Sequence, residues 1–187
     1  MKVLIVGLGN PGLEYSGTRH NIGFAVLDAL CAVFKAPFVA DRYADRAQFR
    51  HKGRTYVLIK PSTFMNLSGK AVRYWLAQED VPLDRMLVLT DDLALPFGKV
   101  RIRGAGGAGS HNGLASIIEV LGSEEFPRLR FGIGSAFPRG RQSEYVLGQW
   151  NEEEQALLPE RLEIAGKAVV QFGLLGLAHT MNHFNNR

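Results

Sequence analysis

The sequence predicts an α/β fold: a single-domain three-layer sandwich with a mixed, largely parallel twisted sheet flanked by helices. The chain has 187 residues, which fits one domain with one buried core, so we expect residues 1–187 to fold together. Apolar strand patterns alternate with helical patterns along the chain, as in α/β proteins. One pair of strands is joined by a short turn, which predicts antiparallel pairing in part of the sheet.

In the first half of the chain, hydrophobic patterning predicts three strands and two helices. Residues 2–6 form a continuous apolar run, which is typical of a strand buried on both faces. Apolar residues at helical spacing follow over 21–35 and share one face of the predicted helix. Residues 48–51 and 55–60 flank a Lys-Gly pair and predict a hairpin. Helical spacing returns over 66–78.

In the second half of the chain, the same alternation of elements continues. Residues 86–90 are another apolar run, and 99–103 alternate basic and apolar side chains, as a half-exposed strand does. A helix is predicted over 112–121, where Gly122 ends it. A further strand is predicted at 129–133.

A long helix is predicted at the C-terminal end of the chain. Asn151 and Glu154 have the spacing of a capping box, which marks the first turn of a helix. Pro159 lies inside the same helical pattern and predicts a break or a kink there.

The composition describes an ordinary globular protein that is mildly basic. Hydrophobic residues make up 46% of the chain and charged residues 21%, and the net charge of +4 suits an anionic partner without requiring one. Cys31 is the only cysteine, which excludes an internal disulfide and fits the reducing cytoplasm. The N-terminal apolar run is too short for a signal peptide, and no stretch approaches the roughly 18 apolar residues of a membrane span. We therefore expect a cytoplasmic protein with no membrane partner.

Two glycine-rich segments, 7–12 and 104–109, match the dinucleotide pattern G-x-G-x-x-G. The first follows a strand, but Pro11 favours a turn over a helix, and the acidic residue expected about 20 positions later is missing. We therefore expect no nicotinamide cofactor, and the simplest interpretation is tight turns beside closely packed backbone. At 104–109 a helix N-terminus follows, so a ligand could approach the main chain there.

Several polar side chains fall at the ends of predicted elements: Asn10, Tyr15, His20, Asn66, Asp91 and Asn112. Loops that follow parallel strands meet at the ligand crevice of an open α/β sheet, so these residues could converge. The imidazole of His20 could act as a base near neutral pH, and Asp91 could bond its other nitrogen and fix its tautomer. No serine lies in a nucleophile elbow, so the nucleophile would be a water molecule activated by His20.

On the basis of spacing alone, structural roles explain these residues as well as catalytic roles do. His20 could cap the helix that follows it, and Asp91 could be a turn residue. Asn66 and Asn112 each precede helical patterns and could be N-caps. His111 is most simply a turn or surface residue.

Metal and phosphate binding can also be considered from spacing. His179 and His183 lie four residues apart, but no acidic ligand accompanies them, so we expect no metal. Basic residues cluster near the second glycine-rich segment, and such a cluster is usually a solvated face but could bind phosphates. The basic residues concerned are Lys99, Arg101, Arg103, Arg128, Arg130, Arg139 and Arg141.

Five blocks of the sequence together resemble bacterial peptidyl-tRNA hydrolases. These are GLGNPGLEYSGTRHNIGF, KPSTFMNLSGKAV, DDLALPFGKVRIR, GSHNGLASI and FPRLRFGIG, which cover most of the chain in the family's order. The resemblance implies an esterase, free of metal and cofactor, that cleaves the bond between a peptide and the 3'-terminal ribose of tRNA. Such an enzyme recycles peptidyl-tRNA released prematurely from ribosomes.

The resemblance also implies roles for single residues. His20 matches the proton acceptor, Asp91 the group that stabilises its basic form, and Asn10 the residue that separates N-blocked from free aminoacyl groups. Matches to substrate and tRNA contacts are Tyr15, Phe64, Asn66 and Asn112, and matches to phosphate contacts are Arg103 and Arg130. The implied partner is the acceptor end and 3'-CCA of peptidyl-tRNA, bound by a monomer. A non-catalytic RNA-binding relative of the same fold is the alternative.

Some positions depart from the family pattern. Thr90 stands where a histidine is usual, Ala94 replaces a usual aspartate, and Ser110 replaces a usual glycine. Residues 135–136, Ser-Ala, also differ from it. The missing acidic side chain at position 94 predicts a change in the loop that holds Asp91.

Overall fold

Seven strands form one mixed sheet in the computed structural model, which describes residues 1–186. The strands are β1 (Lys2–Gly7), β2 (Val39–Asp41), β3 (Ala44–His51), β4 (Arg54–Pro61), β5 (Met86–Asp92), β6 (Val100–Arg103) and β7 (Arg128–Gly132). Their order across the sheet is β2-β3-β4-β1-β5-β7-β6. The four central strands run parallel, whereas β2, β3 and β6 pair antiparallel with their neighbours. The predicted mixed, largely parallel sheet is confirmed.

Five α-helices accompany the sheet in the described part of the chain. They are α1 (Ile22–Phe34), α2 (Ser68–Glu79), α3 (Asn112–Leu121), α4 (Gln142–Val146) and α5 (Glu152–Phe184). Helices α1 and α5 cover one face of the sheet, and α2 and α3 cover the other. This arrangement is the three-layer sandwich that the alternating patterns predict.

Two apolar cores lie on the two faces of the sheet, and β1 contributes to both. Val3 and Ile5 pack towards α1 and α5, whereas Leu4 and Val6 pack towards α2 and α3. All four side chains are at most 2% exposed, which explains why β1 reads as a continuous apolar run. Burial of each such side chain contributes about 1.5–3 kcal/mol.

Two glycines let the start of α1 pack directly against the end of β1. A Cβ atom on Gly7 would lie 2.5 Å from the carbonyl oxygen of Gly23, and one on Gly23 would lie 2.5 Å from the amide nitrogen of Leu8. The first glycine-rich segment therefore serves close backbone packing. A 3-10 helix, Leu13–Tyr15, follows it in place of the long helix that a dinucleotide motif opens.

The structure differs from the sequence predictions at three elements. Strand β2 has three exposed residues, and α4 has five residues without a buried one, so neither has a hydrophobic pattern to recognise. The predicted break at Pro159 is wrong, because α5 runs through this residue. In α5 the non-helical residue is Gly176, with φ 83°, a conformation that glycine adopts readily. The predicted capping box of Asn151 and Glu154 is present.

Among the helices of residues 1–186, α5 is long and apolar enough to pass a length-and-composition test for a membrane span. Its inner face packs on the sheet through Ala165, Ala168, Val169 and Phe172, each at most 3% exposed. The apolar part of α5 that passes the test is 39% buried, and helices that pack on the core of a globular protein can pass the same test.

Candidate active site

His20, Asp91 and His111 form a hydrogen-bonded chain at the carboxyl end of the central strands. Nδ1 of His20 lies 2.8 Å from Oδ2 of Asp91, and Nε2 of His111 lies 2.7 Å from Oδ1 of the same carboxylate. Asp91 is the second-to-last residue of β5, and His20 lies in a 3-10 helix, Arg19–Asn21, directly before α1. The two imidazole rings are tilted by 45° with centroids 4.9 Å apart.

The hydrogen-bond partners assign the protons of both imidazoles. Nδ1 of His111 accepts the backbone N–H groups of Gly113 and Leu114, at 3.1 and 3.3 Å, so Nε2 of His111 carries the proton donated to Asp91. An ionised carboxylate only accepts, so Nδ1 of His20 also carries a proton. Nε2 of His20 then has a free lone pair, which is the requirement for a base.

Asp91 is kept as a carboxylate by its two neighbours. Burial by itself raises the pKa of Asp91, but the electrostatic attraction and hydrogen bond of His111, followed by those of His20, outweigh it. The pKa of Asp91 therefore lies well below its usual range. The carboxyl group, 5% exposed, consequently stays ionised at neutral pH.

Asn10 is held by hydrogen bonds on both its backbone and its side chain. Its Oδ1 accepts the N–H of Met65 at 2.7 Å, which turns its Nδ2 donor away from Met65. Asn21 clamps the backbone, because its Oδ1 accepts the N–H of Asn10 and its Nδ2 donates to the carbonyl of Asn10, both at 2.9 Å. The amide of Asn10 thus has a fixed direction and is 8% exposed.

The other predicted contact residues lie on loops around this centre. Asn112 starts α3 beside His111, and its side chain is exposed. Asn66 lies in a 3-10 helix, Met65–Leu67, directly before α2 and is exposed as well. Phe64 is 53% exposed and forms an edge-to-face pair with Tyr15 at 6.3 Å between centroids. The Tyr15–Phe64 pair therefore offers aromatic surface next to Met65, the partner of Asn10.

The N-capping interpretations of these residues are wrong. His111 is the residue whose side chain caps α3, while Asn112 is already inside the helix. Neither Asn66 nor His20 caps a helix, because neither α2 nor α1 has a side-chain cap bond. His111, interpreted from spacing as a turn or surface residue, is both a cap and a partner of Asp91.

A cleft of about 350 Å³ extends from His20 towards Arg130. Its walls are the second glycine-rich segment and α4, and Asn112 lies along it. Nη1 of Arg130 is 3.7 Å from Oδ2 of Asp92, a distance at which the guanidinium can still engage an anion. Arg103 is exposed on β6, two residues after Arg101, which is the register partner of Arg130. The cleft thus joins a base to a basic edge of the sheet.

Arg128 does not belong to this solvent-facing basic edge. It is 0% exposed, and its guanidinium donates to the carbonyls of Gly106 and Glu124 at 2.7 Å each, and to Phe126 at 3.3 Å. Burial, reinforced by the charge of Arg130, lowers the pKa of Arg128 to about 10, so it remains charged at neutral pH. Arg128 therefore holds the glycine-rich wall of the cleft in place.

Arg19 fixes the segment that carries His20. Its Nη1 donates to the carbonyl of Tyr145 and its Nη2 to Oε1 of Glu154, both at 3.2 Å. Its guanidinium also lies 4.1 Å from the centre of the Tyr145 ring. Since Tyr145 belongs to α4 and Glu154 to the first turn of α5, both helices hold the residue that precedes His20.

At the positions that depart from the family pattern, other hydrogen bonds hold the loops around Asp91. Oδ1 of Asp92 accepts the N–H of Ala94 at 2.8 Å and completes the turn without an acidic side chain at 94. Thr90 is buried and donates to the carbonyl of Asp91. Ser110 accepts a hydrogen bond from Gln142 of α4, at 3.3 Å, across the cleft.

By geometry, His20, Asp91 and His111 are also a group whose ligand atoms lie within 4.8 Å of one another. Each nitrogen that faces Asp91 already donates a proton to it, so a metal would have to displace both protons. The fit to a metal is therefore poor. At the other histidine pair, Nδ1 of His183 bonds Oε1 of Gln171 at 2.8 Å, and Nε2 of Gln171 donates to the backbone carbonyl of His179 at 3.3 Å.

Three residues of this site were not identified from the sequence, namely His111, Asn21 and Arg19, and Arg128 was predicted only as a member of the basic cluster. All four residues lie inside blocks that carry the resemblance, so the resemblance could have marked them: Arg19 and Asn21 in GLGNPGLEYSGTRHNIGF, His111 in GSHNGLASI and Arg128 in FPRLRFGIG. The burial of Arg19 and Arg128 could not be predicted from spacing, because buried and exposed arginines occur in the same sequence patterns.

Comparisons with known proteins agree with this architecture. The family model described as peptidyl-tRNA hydrolase matches residues 4–187. The peptidyl-tRNA hydrolase of Bacteroides fragilis is 52% identical over 187 residues, 100% of both chains, and that of Porphyromonas gingivalis is 50% identical over 185 residues, 99% of this chain and 100% of the relative. The crystal structure of peptidyl-tRNA hydrolase from Acinetobacter baumannii, 33% identical, superposes with a TM-score of 0.91 over 98% of this chain and 94% of that one. The chain therefore belongs to the peptidyl-tRNA hydrolase family.

Proposed function

We propose that the protein hydrolyses the ester between a peptide and the 3'-terminal ribose of tRNA, with His20 as the base. The observation that carries this proposal is the bond between Nδ1 of His20 and Asp91, which leaves Nε2 of this cleft-lining histidine free. Family membership over the whole chain supports the substrate class. Recycling of peptidyl-tRNA released from ribosomes is the cellular role that follows.

In the proposed reaction, Nε2 of His20 takes a proton from a water molecule as the water oxygen attacks the ester carbonyl carbon. Asp91 accepts from Nδ1 and stabilises the imidazolium that forms. When the tetrahedral intermediate collapses, the bond between the carbonyl carbon and the ribose oxygen breaks. His20 returns the proton to that oxygen, which leaves a free ribose hydroxyl and a peptide carboxyl group. An oriented base contributes about 10²–10⁴ in rate.

Asn10 supplies an amide donor of fixed direction close to this reaction. Its Oδ1 is used by Met65, so its Nδ2 is the group available to the substrate. An amide donor facing the developing oxyanion contributes about 10²–10³. The same donor can bond the carbonyl of a blocked aminoacyl group, whereas a free α-ammonium has no acceptor to offer it. This is how Asn10 would separate N-blocked from free substrates.

The tRNA would enter along the cleft from its basic end. Arg130 and Arg103 would bind phosphates of the acceptor end, because guanidinium groups match phosphate geometry. Asn112 presents an exposed amide to the 3'-terminal nucleotides, whereas Asn66 and the Tyr15–Phe64 pair present an amide and aromatic rings to the aminoacyl groups next to the ester. We further propose that the protein acts as a monomer in the cytoplasm.

The alternative, a non-catalytic RNA-binding relative, is not favoured by the organisation of the centre. A protein that only binds RNA has no need of a buried carboxylate bonded to two imidazoles, because burying a charge away from water lowers the stability of the fold.

Purified protein incubated with N-acetylated aminoacyl-tRNA tests the proposal. Release of free tRNA is expected, and the matched aminoacyl-tRNA with a free α-amino group should be hydrolysed far more slowly. Binding of tRNA without release would point to the RNA-binding relative instead.

A further inference from the structure

A second group of cations lies on the flank of the sheet opposite the arginines of the cleft. Arg42 and Tyr43 form the turn between β2 and β3, and Lys70, Arg73 and Tyr74 lie on the outer side of α2. These five residues are called the β3 flank surface below. The guanidinium of Arg42 lies 5.2 Å from the ring centres of both Tyr43 and Tyr74, and Nζ of Lys70 lies 5.0 Å from that of Tyr43.

The three cations of the β3 flank surface have no carboxylate partner within 4.0 Å among residues 1–186. Asp41 is the nearest acidic neighbour in the chain, and its carboxylate accepts the backbone N–H of Arg42 rather than its guanidinium. The hydrogen bond of Arg42, followed by its charge and those of Lys70 and Arg73, lowers the pKa of Tyr43. The β3 flank surface therefore consists of cationic side chains without a paired carboxylate in the described part of the chain, together with two aromatic rings.

The β3 flank surface lies at the same edge of the sheet as the candidate active site. Ala44 at the start of β3 pairs with Pro61 at the end of β4, so the turn at 41–43 is at the carboxyl edge of the parallel strands. The carbonyl of Tyr43 accepts the N–H of Ser62 at 2.8 Å, two residues before Phe64. The surface therefore continues the loop that carries Phe64 and Met65.

The strand order places the ester between the two groups of cations. Strands β3 and β6 are five intervals apart, roughly 24 Å, whereas β3 lies only two intervals, roughly 10 Å, from β1 and its Asn10. The tRNA chain ends at the ester, and its proposed phosphate contacts are at β6 and β7. What extends from the ester towards β3 is the peptide, which covers 10 Å in about three extended residues.

We propose that the β3 flank surface binds the peptide part of the substrate and favours acidic side chains three to four residues from the ester. This inference rests on the proposed function and adds a substrate preference to it. Lys70, Arg73 and Arg42 would pair with the carboxylates, and the rings of Tyr43 and Tyr74 would pack on the peptide's aliphatic groups.

The test compares two N-acetylated tetrapeptidyl-tRNAs that share the tRNA and the two residues next to the ester. Their two outer residues are both aspartate or both lysine. Wild-type protein should show a kcat/KM about 2- to 10-fold higher for the aspartate substrate, as two exposed ion pairs allow. The double variant Arg42→Glu, Lys70→Glu should lose or invert this ratio.

Arg50→Glu, Arg85→Glu is the matched control. It makes the same charge change at two exposed arginines near the opposite edge of the sheet, and it should keep the wild-type ratio. Equal ratios in the wild type and in the Arg42, Lys70 variant would overturn the inference while leaving the hydrolase intact. Weaker binding of deacylated tRNA by that variant than by the control would overturn it too, because the surface would then contact RNA. If the wild type hydrolyses neither substrate, the proposed function itself fails.

Discussion

Nδ1 of His20 lies 2.8 Å from Oδ2 of Asp91, a buried carboxylate whose other oxygen is bonded to His111. This relationship sets the tautomer of His20 and directs its basic nitrogen to the cleft. It depends on tertiary packing, since 71 positions separate the two residues in the chain.

Asp91→Asn should lower kcat by on the order of 10²-fold and move the acid limb of the pH–rate profile to lower pH. The amide offers one acceptor and one donor where both imidazoles need an acceptor, so one of them must change its tautomer or lose its bond. Without the carboxylate, protonated His20 is less stable and its effective basicity falls. Steady-state rates from pH 5 to 9 measure both effects, and an unshifted acid limb would refute the pairing.

His111→Ala should both destabilise the protein and slow the reaction. The cap of α3 is lost, at a cost of about 0.5–2 kcal/mol, and Asp91 loses one of its two donors. His111→Asn separates the effects, because asparagine is a good N-cap but is too short to bond Asp91 as the imidazole does. Thermal melts and kcat should show stability restored by asparagine and activity not restored. Full activity in both variants would contradict a role for His111 at the centre.

Arg103→Ala and Arg130→Ala should each weaken tRNA binding and reduce its dependence on salt. Each contact to a phosphate releases about one counterion, so log Kd plotted against log salt should become shallower by roughly 0.7–0.9. Binding of deacylated tRNA at several salt concentrations measures the slope. Arg50→Ala, at the far end of β3, is the control and should keep it. A control slope that changes as much would place the phosphate surface elsewhere.

Cys31 should react with thiol reagents only after the protein unfolds. Burial, with the charge of Asp28 adding to it, raises the pKa of the Cys31 thiol to about 11, from 9.0 in the unfolded chain. This contribution to stability is fully present below pH 9 and is lost as the pH rises towards 11. Disulfide-reagent labelling at pH 8 should be slow in buffer and fast in denaturant. Equal labelling rates would show that the thiol is accessible.

Local patterns predicted the central elements of the fold. The apolar run of β1, the helical spacing of α1 and the capping box of α5 reflect burial and capping that neighbouring residues decide. Strand β2 could not be predicted, since its three residues are exposed and gain order from pairing with β3. The non-helical residue of α5 is Gly176 rather than Pro159, and local sequence rules do not predict this choice.

The site could be predicted only where the resemblance supplied what spacing lacks. The spacing of His20 and Asp91 does not distinguish them from structural residues, because their pairing depends on a 3-10 helix and a strand end that meet in space. Arg128 and Arg130 are two residues apart on β7 and face the same side of the sheet, but the second glycine-rich segment covers only Arg128. The contact of His111 with Asp91 is likewise decided by where α3 begins.

The measurement that tests the central claim most directly is single-turnover hydrolysis of N-acetylated aminoacyl-tRNA by His20→Ala, alongside tRNA binding. The expected rate is at least about 10²-fold below wild type, because the base is gone. The affinity for deacylated tRNA should stay within about threefold, as expected for a side chain whose main role is proton transfer. His179→Ala, which alters an exposed histidine on α5, should behave as wild type. A wild-type rate in His20→Ala would contradict the account and remove His20 from the reaction.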